Sequence, residues 1–125
     1  MNEKTVADKM FLKTARSMMI LNGNVHPTMV AQMPTEIQSD KGPADVVLMF
    51  ALNRKELEQY FPVAKESLGE KGSLWIAYLK QTASKATDIN RDSIAAFTKE
   101  NGIIPVAMIS IDGDWSGLRL KRIEL

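Results

Sequence analysis

Apolar residues recur along this chain in short unbroken runs, separated by stretches in which they fall three and four apart. That alternation predicts strands joined by helices. Ser17 to Leu21, Ala44 to Leu52, Ser73 to Leu79 and Ile103 to Ile111 are near-continuous apolar runs, the pattern of strands buried on both faces. Between the second and third runs, Leu57, Tyr60, Phe61, Ala64 and Leu68 fall on one helical face. Asn53 can cap that helix, with Glu56 three residues on as in a capping box. Pro62 predicts a kink or a split within it, and Gly69 and Gly72 an end to it. Another helix is predicted from Asp88 or Asn90 to Asn101, with Ile94, Phe97 and Ala95 inward and Gly102 as its left-handed terminator.

Shorter elements complete the pattern. Thr5 caps a helix to Phe11 whose inner side is Val6, Met10 and Phe11. Pro27 opens a helix with Met29, Val30 and Met33 inward, ended by Pro34, and Thr35 to Gln38 reads as a short edge strand. Asp112 to Gly117 reads as a turn. Leu118 to Leu125 then alternates, with Leu118, Leu120 and Ile123 or Leu125 inward and Arg119, Lys121 and Arg122 outward. This is a half-exposed antiparallel strand paired with its predecessor, its charges protecting a sheet edge. Strands joined by helices imply right-handed parallel crossovers. The expected fold is a single α/β domain over residues 1–125: three-layer, with a mostly parallel Rossmann-like sheet and a C-terminal antiparallel hairpin. That is a reduced form of the class I methyltransferase pattern.

Composition narrows the chemistry. The 125 residues suit one domain, and 16 basic against 15 acidic residues leave a net charge of +1, so no nucleic-acid partner is expected. Without cysteine and with His26 alone, disulfides, thiolate catalysis and the usual zinc sites are excluded, and no loop gathers acids for a magnesium or calcium ion. The segment from Met1 to Lys13 lacks the apolar core of a signal peptide, and no window is long enough to span a bilayer. The expectation is a cytoplasmic chain with no membrane partner. Met18, Met19, Met29, Met33, Met49 and Met108 fall on apolar segments and read as core filler.

Two stretches carry a resemblance. One is A-D-V-V-L-M-F with R-K-E-L-E-Q-Y-F-P and E-K-G-S-L-W-I-A-Y-L-K; the other is T-D-I-N, a helix, and D-G-D-W-S-G-L-R-L. Together they resemble a short bacterial family of unknown function with a C-terminal Trp-Ser-Gly-Leu signature, over about Ala44 to Arg122. Trp75, Lys80, Thr87-Asp88 and Trp115-Ser116-Gly117-Leu118 are the most specific part. The chain departs from the family's Trp-Pro-Lys at Tyr78-Leu79-Lys80. The resemblance implies a small methyltransferase-like domain and no particular reaction.

The strongest candidate site is the loop after the Trp75 strand. Lys80, Thr82, Ser84, Lys85, Thr87, Asp88 and Asn90 crowd between a strand's carboxyl end and a helix N-terminus, where open α/β sheets bind ligands. Trp115 and Ser116 join this site if their turn folds toward it, although an indole sealing one end of the sheet is the plainer reading. The reading is an anionic small molecule or partner bound here, with no cofactor evident and the absence of a catalytic constellation leaning against an enzyme. An alternative is a degenerate methyltransferase using the turn at Asn22, Gly23 and Asn24. That turn has one glycine, Pro27 removes a donor, and only Glu36 or Asp40 could meet a ribose, which argues against S-adenosylmethionine (SAM). A third reading is an interaction module forming a homodimer. His26 reads as a partly exposed turn residue.

Overall fold

The computed structural model describes residues 5–10, 12–81 and 87–123. Its centre is one five-stranded sheet in the order β1-β2-β3-β5-β4, from Met18–Leu21 (β1), Ala44–Ala51 (β2), Leu68–Leu79 (β3), Ile103–Ser110 (β4) and Trp115–Arg122 (β5). β1, β2 and β3 are parallel, while β5 runs antiparallel to both β3 and β4. This is the expected mostly parallel α/β sheet with a terminal hairpin.

Each face has its own core. Helices α3 (Arg54–Ser67) and α4 (Arg91–Lys99) cover one face, where Leu57, Phe61 and Ile94 meet Val47, Met49, Leu74, Ile76, Leu118 and Leu120. The N-terminal segment and α2 (Pro27–Val30) cover the other, where Met10, Met29 and Met33 meet Leu48, Phe50, Trp75 and Trp115. Fully burying side chains of this size contributes roughly 1.5–3 kcal/mol each, which accounts for β2 and β3 reading as unbroken apolar runs.

Several expectations are corrected. β5 is not a sheet edge: it lies between β3 and β4, and the edge strand is β4. Trp115, Ser116 and Gly117 belong to β5 rather than to the turn, because they pair with Leu79, Tyr78 and Ala77. Ile123 is exposed, and Arg122 turns back to donate to the carbonyls of Lys65 and Leu68. Thr35–Ile37 is a 3-10 helix rather than a strand; only Gln38 bridges β1, at Met18. Helix α3 continues unbroken through Pro62 and ends at Ser67, so Gly69–Gly72 loops out within β3 instead of capping the helix. Met108 is not core filler but half exposed on β4, beside Val106.

Other details match the sequence. Gly102 takes a φ of 78° after α4, the left-handed turn that glycine adopts without strain. Thr5 caps α1 (Val6–Lys9) in a reciprocal box with Asp8; Phe11 lies outside the described residues. The edge strand carries Pro105, which has no N–H to offer, and a bulge at Val106 between the paired Pro105 and Ala107. Both hinder the addition of a further strand. No helix among the described residues is long and apolar enough to cross a membrane.

Candidate functional site

The carboxyl ends of β1, β2 and β3 share one edge of the sheet with the start of β5. Two groups of polar side chains form there, on opposite faces, because successive strand residues alternate sides.

On the α4 face, Tyr78, Lys80, Gln81, Asn90, Arg91, Asp92, Met108 and Ser116 line an open pocket of about 360 Å³. Asn90 and Ser93 cap α4 reciprocally, which places Arg91 and Asp92 in its first turn. Lys80 crosses to the hairpin: its Nζ donates to Ser110 Oγ at 2.8 Å and to the Asp112 carbonyl at 2.6 Å, leaving one ammonium proton for the pocket. Tyr78 is buried, and its hydroxyl donates to Met108 Sδ at 3.4 Å, a weak acceptor. Burial pushes the Tyr78 phenol above its ordinary value; Arg91 and a bond to Ser116 oppose this, and Asp92 adds to it. The group stays a protonated donor at neutral pH.

The opposite face holds an aromatic box. His26 Nε2 lies 2.8 Å from Asp112 Oδ2, and the ring stands 5.3 Å from Trp115 and 6.0 Å from Phe50. The Met29 N–H donates to Nδ1 at 3.3 Å, so Nε2 carries the proton and donates to the carboxylate. With both nitrogens engaged, His26 fixes the start of α2 to the β4–β5 turn and has no lone pair left for general-base work. The Asp112 Oδ1 accepts from the N–H groups of Asp114 and Trp115. Partial burial alone would raise the Asp112 pKa; the His26 bond and these two N–H donors outweigh it and hold the carboxyl below its ordinary value.

The sign of the pH effect follows. A carboxyl lowered in the folded state contributes stability above its unfolded value, about 3.9, and loses it as pH falls through the lowered folded value. With 42% of the Asp112 side chain exposed the contribution is small. The melting-temperature gap between wild type and Asp112→Asn is expected to be fully open at pH 6 and to close below pH 4; a gap independent of pH over that range refutes the assignment.

The sequence candidates therefore separate. Lys80, Asn90 and Ser116 come together in the pocket, with Trp115 on the other face. Asp88 accepts from the Arg54 N–H at the start of α3, and Thr87 donates to the Leu52 carbonyl. Thr82, Ser84 and Lys85 lie outside the described residues. Tyr78, Arg91 and the His26–Asp112 pair escaped sequence reasoning. Period-two alternation would have placed Tyr78 on the face of Lys80, whereas nothing local links His26 to Asp112.

The turn after β1 is filled by its own chain. Asn22, left-handed at φ 60°, donates from Nδ2 to the Phe50 carbonyl and to Glu56 Oε1, and the Leu52 N–H donates to the same Oε1. A Cβ at Gly23 would lie 2.9 Å from Val30 Cγ2, so this glycine serves close packing. Gln38 and Ser39 meet β1 at Met18, its amino end. The polar groups gathered at this turn are the Asn22 amide and the Glu56 carboxylate.

No family model matches the chain, and no curated protein is similar to it in sequence. Solved structures do match its fold. The mitomycin 7-O-methyltransferase MmcR superposes with a TM-score of 0.64 at 9% identity, covering 89% of this chain and 50% of that one. LepI in complex with SAM gives 0.54 at 8%, covering 94% and 39%, and the DhpI–SAH complex 0.54 at 6%, covering 95% and 83%. The chain spans about half the length of MmcR. At such identities the likeness is one of fold: a methyltransferase-like Rossmann fold. It corrects the argument against SAM, because chains of this fold are solved with SAM and SAH bound. Counting glycines in one turn is a poor guide among chains of one fold that share so little sequence.

Proposed function

We propose that this chain is a cytoplasmic small-molecule-binding domain of reduced methyltransferase fold, whose ligand carries an anionic group held between Lys80 and Arg91. The observation that carries the reading is the convergence of these two cations with Asn90, Ser116 and the first turn of α4 at the carboxyl edge. Arg91 pairs with Asp92 at 3.5 Å, and both side chains are well exposed, so water screens the pair and the guanidinium can turn to a ligand. The helix N-terminus adds its own attraction for negative charge.

Inorganic phosphate is the first probe, by isothermal titration. Arg91→Gln is expected to weaken it about tenfold or more, the worth of a charge-assisted hydrogen bond. An unchanged affinity, or no phosphate binding by the wild type, overturns the reading.

A second reading has support from the LepI and DhpI complexes: SAM bound at the Asn22–His26 turn. SAM or SAH at about a hundred times its dissociation constant adds about 2.7 kcal/mol, on the order of 10 °C in melting temperature. A flat response to both removes this reading.

A further inference from the structure

We infer that the anion of this pocket is the phosphate of a phosphorylated polyol, whose hydroxyls lie along a row of protein hydroxyls crossing three strands. The inference rests on the reading of the pocket as an anion site. Tyr78 on β3 pairs with Ser116 on β5, and Ser116 pairs in turn with Ser110 on β4. Register partners share a face, so the three hydroxyls form one row at the carboxyl edge. The row beneath is Ile76, Leu118 and Met108, apolar throughout.

The row differs in chemistry from a plain anion site. Phosphate and carboxylate oxygens ask only for donors, whereas Ser and Tyr hydroxyls both donate and accept. Groups that do both match ligand hydroxyls, which do the same. Tyr78 and Ser116 are also buried, at 4% and 7% exposure, and the Tyr78 hydroxyl donates to the Met108 thioether. A thioether is a weak acceptor, so this buried donor gains from a ligand oxygen in its place.

Size and charge agree. Two strand spacings make the row roughly 10 Å long, longer than one phosphate and suited to a short sugar chain. Lys80 stands at its Ser110 end, and Arg91 lines the same pocket as Tyr78. A phosphate in this pocket has two cations to meet it. The exposed carboxylate of Asp92, a poor neighbour for phosphate, can accept from a ligand hydroxyl.

The test compares ribose 5-phosphate, inorganic phosphate and ribose by isothermal titration on the full chain. Ribose 5-phosphate is expected to bind at least tenfold tighter than inorganic phosphate, with ribose much weaker than either. Ser116→Ala and Tyr78→Phe, both conservative in packing, are each expected to shrink that ratio several-fold. Equal affinities for the two phosphates overturn the polyol while leaving the anion site standing. Binding of neither phosphate overturns both. A ratio unmoved by both hydroxyl variants overturns the role of the row.

Discussion

Replacing Trp115 with alanine is expected to destabilise the fold by about 3–5 kcal/mol, the usual cost of removing a buried aromatic. For a chain of this size that lowers the melting temperature by on the order of 10–20 °C. The indole is 8% exposed at the first residue of β5 and meets Phe50 edge-on with ring centres 5.8 Å apart. It also packs on His26, so its loss opens a void beside the His26–Asp112 bond. The backbone bonds of Trp115 are untouched by the substitution; the loss is one of packing. Trp115→Phe keeps a ring against Phe50 and is expected to cost less than half as much. Urea denaturation measures both. A loss under about 1 kcal/mol for Trp115→Ala, in the range of surface substitutions, refutes the packing role.

The strands were legible because burial on both faces leaves a plain mark. Val47, Leu48, Met49 and Phe50 are all buried, and no helix of this length would hide four consecutive side chains while presenting a polar face. The Asn53 cap was legible for a local reason, since a cap and the N–H it accepts from are three residues apart. Half of the expected box was not: the Glu56 carboxylate leaves Asn53 for Asn22 and Leu52, a tertiary choice that spacing cannot express. The order of the last two strands was hidden as well. A hairpin looks the same in sequence whether its second strand lies at the edge or is inserted beside β3, and here insertion is marked only by the burial of Ser116 and Leu118 from both sides.

The candidate site divides along the same line. Lys80 and Asn90 were found because they flank one loop. Ser116 was found through its neighbour Trp115, yet the two point to opposite faces of β5 and serve different clusters. Once Trp115 is placed in a strand rather than a turn, alternation separates them. The Tyr78–Ser116–Ser110 row needs the register of three strands, which no single segment encodes.

Glu56→Ala is expected to cost about 2–4 kcal/mol, because one carboxylate oxygen serves two donors on different elements. The Leu52 N–H and the Asn22 amide reach it at 2.8 and 2.9 Å, and each donor left unpaired costs about 1–3 kcal/mol. Glu56→Gln retains a carbonyl oxygen in the same place and is expected to lose much less, which separates the acceptor role from the charge. Chemical denaturation gives the two values; near-equal losses would mean that charge, not geometry, holds the turn. Glu56→Ala, set beside Arg91→Gln, also bears on where a nucleoside would sit. Asn22 keeps its left-handed turn through this bond, so a SAM-induced thermal shift at the β1 turn should vanish in Glu56→Ala and survive in Arg91→Gln. The opposite pattern, loss with Arg91→Gln alone, would put SAM in the Tyr78 pocket and make the two proposed ligand sites one.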